Sequence, residues 1–303
     1  MRRAQRAALA LLVALAATAH AQSNATLPYK VKQKDTLDVI AAEFYGDRSD
    51  AVYIVAENKL KDGRVRPFDR IRIPTTREVT TEKGDTFESL AKTYLGDASR
   101  AEILAEFNNI PVADTPATGT VITIPFHIQH TADGGESLGQ VSAKYFGDSK
   151  RAELISRYNK LDKTTLEKGD SVLVPVLDVR VRPSKLPAID AEAKTRRDQH
   201  SKTTTSATTA LPQARAAWMQ GDFAHVRSLL EPYAEYFDYL DLPLAVEVGL
   251  FLGKSHVAFG DDKAAITAFT QVLDRKPSHR LSVYAESPKV IDAWKKAGGQ
   301  LQD

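Results

Sequence analysis

His127 and His130, with Asp133 and Glu136 close behind, form a stretch where imidazoles and carboxylates crowd together. Such a set could hold a metal ion or pass a proton. Their spacing argues against both. The surrounding residues read as a strand and its loop, and residues three apart on a strand face opposite sides. His200, His225, His256 and His279 are scattered. The sequence holds no HExxH, no Gly-x-Ser-x-Gly and no phosphate-cradling glycine loop. None of its 303 residues is cysteine, which removes disulfides, thiol nucleophiles and Cys-based metal sites. No metal and no cofactor is expected, and the protein is expected not to be an enzyme.

A second set of short polar residues recurs instead. Fifty residues separate Asp35 from Asp85, and fifty-one separate Asp85 from Glu136. Tyr45-Gly46-Asp47 returns as Leu95-Gly96-Asp97 and Phe146-Gly147-Asp148, and Asn58 returns as Asn108 and Asn159. Each unit closes on a β-rich run ending in Pro74, Pro125 or Pro175. Landmarks held in phase three times are the signature of a structural repeat.

The elements that must position these residues follow. Alternation at Tyr29, Val31 and Gln33 predicts a strand. Asp35 and Asp85 are suited to cap a helix, with Glu88 as a capping-box partner. Leu90, Ala91 and Tyr94 fall at helical spacing, Gly96 ends that helix, and Ala101, Ile103, Leu104 and Phe107 mark the next. A loop and a strand ending at proline complete a β-α-α-β unit, its two strands antiparallel and its helices on one face.

This order, with the Gly-Asp-Thr loop, the Asn after the second helix and the terminal Ile-Pro, resembles the LysM family over residues 28–176. The resemblance implies modules at 27–75, 77–126 and 127–177 that bind N-acetylglucosamine polymers, chiefly peptidoglycan and chitin. It places the groove between the first strand–helix loop and the loop before the last strand. Carried over by position, it picks Asp35, Thr36 and Leu37 with Asn58, Lys59 and Leu60 in the first module. In the second it picks Asp85, Thr86 and Phe87 with Asn108, Asn109 and Ile110. In the third it picks Glu136, Ser137 and Leu138 with Asn159, Lys160 and Leu161. Loop amides and short side chains would meet the sugar's polar groups, and an apolar residue its acetyl methyl. The three asparagines also fit a purely structural role, closing the turn after the second helix. Lys34 departs from the family's glycine, and Gly135-Glu136-Ser137 replaces Gly-Asp-Thr. The very short links at 75–77 and 126–128 predict a fixed train of modules, and linking weak sites raises avidity.

The flanks complete the reading. Arg2, Arg3 and Arg6, an apolar run over 7–17 and Ala19-His20-Ala21 predict a signal peptide at 1–21, cut before Gln22. With no lipid-acceptor cysteine and no further apolar span, the chain is expected to be periplasmic or secreted. The net charge of +2 gives no reason to expect nucleic acid or a membrane surface as partner. Residues 178–208 read as a polar linker, with some helix near 191–200. From Leu211 onward the pattern is helical. Residues 246–277 resemble a tetratricopeptide (TPR) repeat, with a looser copy at 211–236, in a domain spanning 209–300. Tyr233, Tyr236, Phe237 and Tyr239 are assigned mainly to its core. The fold class is α+β, three modules followed by an all-α domain.

The expected function is a non-catalytic envelope adaptor that holds peptidoglycan through the modules and an envelope protein through the helical domain. A scaffold whose modules bind protein instead of sugar, and a wall enzyme with an unrecognised site, are the rival readings.

Overall fold

The computed structural model describes residues 24–186 and 188–302. The signal-peptide assignment lies outside them.

The first repeat runs β1 (Ala25–Lys30), α1 (Leu37–Phe44), α2 (Ala51–Glu57) and β2 (Arg70–Thr75). The second runs β3 (Arg77–Thr80), α3 (Phe87–Leu90), α4 (Ala101–Phe107) and β4 (Val121–Ile124). The third runs β5 (Phe126–Thr131), β6 (Glu136–Ser137), α5 (Leu138–Phe146), α6 (Ala152–Asn159), β7 (Thr165–Leu166) and β8 (Ser171–Val176). In each repeat the outer strands pair antiparallel, β1 with β2, β3 with β4 and β5 with β8. The helices bury one face on this ladder, so Ile40, Ile54 and Ile73 form the centre of one small core and Leu104 and Ile122 that of the next. The helix after Thr86 widens into a π turn over Ala91–Leu95 before Gly96, at φ 81°, ends it.

The caps differ from the sequence reading. Thr36, Thr86 and Ser137 are the N-caps, and Asp35 and Asp85 are not. The capping-box partner in the second repeat is Ser89, not Glu88, because Thr86 starts the helix one residue later than Asp85 would. β1 ends at Lys30, earlier than the Tyr29-Val31-Gln33 alternation implies, since the chain turns at Lys34 with φ 68°.

The repeats pack against one another through their side chains. Tyr53 on α2 lies in the third repeat's core, edge-on to Phe126, and its hydroxyl donates to the Tyr145 carbonyl at 2.7 Å. Tyr158 on α6 lies in the second repeat's core, beneath the Arg100 guanidinium 4.3 Å from its ring. The third repeat thus touches both others, and aromatic burial holds the three as a cluster.

The stretch read as a linker is mostly helix. α7 (Ala191–Met219) is one 29-residue helix capped by Asp190 and passing through Pro212. Its threonine-rich middle is polar and a poor helix former, but Thr195, Thr208 and Thr209 return their hydroxyls to carbonyls one turn back. Its first half grips the second repeat. Arg197 bonds Glu78 and Thr80 at 2.8 and 3.2 Å, and a Cβ at Gly119 would meet the Arg196 carbonyl oxygen at 2.5 Å.

Its second half joins α8 (Phe223–Leu230), α9 (Leu242–Ala258), α10 (Asp262–Arg275) and α11 (Pro288–Lys296) around a core that includes Phe237, Phe269 and Trp294. Turns at Gly221 and Gly260 close two helical hairpins. Gly249 and Gly253 let α9 lie directly on Val272 and Phe269 of α10. Tyr233 and Phe237 are buried in this core, whereas Tyr236 is exposed. The chain ends with a parallel pair, β9 (Arg280–Ser282) and β10 (Gln300–Gln302), for which the sequence carries no clear signal.

Candidate functional site

The strand–helix loop is built alike in all three repeats. The carboxylate of Asp35 accepts from the Lys32 amide at 2.7 Å, that of Asp85 from the Glu82 amide at 2.8 Å, and that of Glu136 from the Asp133 amide at 3.2 Å. These acids brace the turn, and the next residue caps the helix. Leu37, Phe87 and Leu138 follow and are buried in their cores. Tyr29 adds a 2.8 Å bond to Asp35, and burial together with that carboxylate pushes its phenol well above the usual range. His130 bonds Glu136 at 3.0 Å and Tyr145 at 3.2 Å. Burial raises the Glu136 carboxyl, but the Asp133 amide and the His130 ring outweigh it and leave it below its ordinary value. Burial pushes the Tyr145 phenol up to about 12.

The opposite loop is also repeated. Each asparagine amide donates twice, to a carbonyl one turn back and to the last strand. Asn58 donates to Ile54 and Arg72, Asn108 to Leu104 and Thr123, and Asn159 to Ile155 and Leu173. Each also accepts the amide of that same strand residue at 2.8 Å. Both donors and an acceptor site are spent inside the repeat, so the asparagines staple α2, α4 and α6 to their strands. Lys59, Asn109 and Lys160 follow in left-handed conformation at φ 51°, 56° and 54°. The amides of Leu60, Ile110 and Leu161 then reach back to the residue five before at 3.0, 3.1 and 3.0 Å. This is a Schellman closure, with the apolar residue packed on its own core.

The eighteen chosen positions therefore do mostly structural work, and they do not all converge. Asp85 lines a cleft of about 730 Å³ between the first two repeats and the start of α7. Asn109 and Ile110 line another, of about 630 Å³, facing the start of α9 and the end of α10. Lys59 and Leu60 line a small cleft of about 190 Å³ against Lys144 and Tyr145 of the third repeat. The Lys160 ammonium bonds Asp97 of the second repeat at 2.8 Å and holds that carboxyl well below its ordinary value.

One difference separates the repeats. The Leu138 amide donates to the Thr164 carbonyl at 2.8 Å, and β6 pairs with β7 beside it. The third slot between the two loops is closed by its own backbone. In the first two repeats the corresponding amides, of Leu37 and Phe87, have no backbone partner among the described residues. Residue patterns had no means of revealing this ladder, beyond the departure at Gly135-Glu136-Ser137.

His127 and His130 point to different partners, Tyr158 and the Tyr145–Glu136 pair. Among the described residues there is no group of three or more His, Cys, Asp or Glu able to hold a metal ion, and no helix long and apolar enough to cross a membrane.

The chain is 27% identical over 142 residues to two esterases of Mycobacterium tuberculosis, one from strain CDC 1551 / Oshkosh and one from strain ATCC 25618 / H37Rv. That stretch is 46% of this chain and 31% of each relative, so the chain spans about a third of the length of the curated relatives it matches. No solved structure matches. The LysM domain family model matches residues 29–74 and 79–125, the first two repeats, and these two matches support a LysM-domain protein.

Proposed function

We propose that this chain is a non-catalytic binder of N-acetylglucosamine-containing wall glycan, acting through its first two repeats. The observation that carries this is the match of the first two repeats to the LysM domain, where no backbone bridge like that from Leu138 to Thr164 ties the strand–helix loop to the opposite loop among the described residues. LysM domains are in general peptidoglycan- and N-acetylglucosamine-binding modules. Loops with short polar residues such as Thr36 and Thr86 at the surface suit a sugar's acetamido carbonyl and hydroxyls. The third repeat acts as a keystone between the other two. The helical domain, read as TPR-like, serves to recruit or position an envelope protein, and the chain works outside the cytoplasm. The esterase name belongs to relatives of which this chain spans about a third, and this reading does not carry it over.

The test is retention of the full chain on insoluble peptidoglycan, released by soluble N-acetylglucosamine oligomers. Retention no better than that of an unrelated protein of similar charge defeats the proposal. Clearing of wall material in a zymogram defeats its non-catalytic part.

A further inference from the structure

The loops around the first slot are charged unlike those of the other two. Residues 30–36 and 59–72 hold nine Lys and Arg against three Asp. The matching stretches of the second repeat, 80–86 and 109–123, hold one cation against three acids. Those of the third, 131–137 and 160–173, hold three against five.

These cations share one end of the module. The Val31 amide donates to the Asp69 carbonyl at 2.9 Å, and the Phe68 amide to the Val31 carbonyl at 2.8 Å, so both loops leave the same end of the β1–β2 ladder. Lys32 and Lys34 belong to one loop, and Lys59, Lys61, Arg64 and Arg66 to the other, all exposed, with Lys59 and Lys61 on the side that faces Lys144 of the third repeat. Among the described residues none of these six is ion-paired, whereas the nearby Arg72 meets Glu57 at 3.5 Å. Like charges without ion-pair partners on two adjacent loops repel one another and build a positive potential around them.

The backbone adds a second observation. Lys34 and Phe68 hold left-handed conformations, φ 68° and 76°, where the second repeat has Gly84 and Gly119, both at φ 88°. Glycine is the unstrained choice there. The first repeat instead sets a cation at one position and a ring 64% exposed at the other, with the Lys30 ammonium 5.3 Å from the ring centre. Strain kept at an exposed lip points to a contact made there.

We infer that the first slot takes an anionic glycan, an N-acetylglucosamine polymer carrying carboxylates along its strand, whereas the second takes neutral N-acetylglucosamine. This rests on the glycan-binding reading above. The Phe68 ring offers a flat apolar face to a sugar, and the six cations face its carboxylates.

Hyaluronan (alternating N-acetylglucosamine and glucuronate), neutral chitohexaose and sugar-free polyphosphate are titrated into the full chain at about 50 and 300 mM salt. Hyaluronan should bind at least about tenfold more tightly than chitohexaose at the lower salt, and the gap should narrow at the higher. The quadruple variant Lys32→Glu, Lys61→Glu, Arg64→Glu, Arg66→Glu alters only exposed side chains without an ion-pair partner among the described residues, and circular dichroism verifies its fold. It should lose the hyaluronan advantage and keep chitohexaose. Equal affinity for the two glycans, an unaltered gap in the variant, or polyphosphate binding as tightly as hyaluronan overturns the inference. Failure of hyaluronan alone leaves the glycan-binding reading standing, and failure of both glycans overturns that reading too.

Discussion

The Leu138 amide donates to the Thr164 carbonyl at 2.8 Å, a bridge between the two loops that the two preceding repeats lack among the described residues. A ligand entering the third slot must first displace this bond and the β6–β7 ladder, each hydrogen bond worth about 0.5–1.5 kcal/mol. Ser137 and Thr86 cap their helices identically, through capping boxes with Gln140 and Ser89. Ser137→Ala and Thr86→Ala should therefore each cost about 1 kcal/mol in urea denaturation. Only Thr86→Ala should weaken retention on peptidoglycan. Equal loss of retention in both would mean that the third slot opens.

The cluster of repeats depends on Tyr53. Its buried hydroxyl is the link to the Tyr145 carbonyl, and its ring lies edge-on to Phe126 at 5.8 Å. Tyr53→Phe should keep the ring contact, leave that carbonyl unpaired and cost about 1–2 kcal/mol. Tyr53→Ala should also open a cavity and cost about 3–5 kcal/mol. Denaturant unfolding of both variants checks the ranking, and equal losses would locate the stabilisation elsewhere.

The repeats were legible because Asp35, Asp85 and Glu136 keep their phase, and phase records local structure. The roles of individual residues were less so. Asn58, Asn108 and Asn159 read as turn closers more readily than as sugar contacts, but the strand residue each one staples lies fourteen or fifteen positions further on and was not legible. The helix through Thr203 to Thr209 was hidden because threonine disfavours helix until its hydroxyl finds a carbonyl one turn back. The placement of Tyr53 in another repeat's core leaves no trace in sequence, since an aromatic at a helical apolar position fits its own core equally well.

Burial, with the nearby Arg100 charge, lowers the His127 imidazole to about 4. An unfolded histidine takes up its proton near pH 6.5, whereas the folded one stays neutral until about pH 4. The unfolded chain therefore binds more protons in this window, and stability falls as pH drops from 6.5 towards 4, by up to about 3 kcal/mol from this group. Above pH 6.5 the effect is absent. His127→Gln, which keeps a polar partner for Tyr158, should flatten the pH dependence over that window. An unchanged difference between pH 7 and pH 4.5 would assign the loss to other groups.

Arg275 joins the helical domain to the second repeat. It is 5% exposed, and its guanidinium donates to the carbonyls of Leu240 at 3.0 Å, Phe237 at 3.3 Å and Thr115 at 3.4 Å. The Thr118 amide and the Lys83 ammonium converge nearby on Asp238, at 2.5 and 2.9 Å. Arg275→Ala would orphan several buried carbonyls and should cost about 2–4 kcal/mol. Lysine cannot reproduce the planar fork, so Arg275→Lys should recover little of that loss. The repeats and the helical domain should then unfold in separate calorimetric steps. A single, merely shifted transition would show that α7 alone couples them.

Lys34 and Phe68 set stability against binding. A side chain in the left-handed region costs about 1–2 kcal/mol, and glycine returns part of that through the entropy of the unfolded chain. Lys34→Gly and Phe68→Gly should each stabilise the protein by up to about 1 kcal/mol, because both side chains are exposed and anchor no core. The same changes remove a cation and a ring from the rim of the first slot, so affinity for hyaluronan should fall while the melting temperature rises. Such opposition is expected where strain serves a ligand. A rise in stability with undiminished hyaluronan affinity would reduce both residues to tolerated irregularities of the turn.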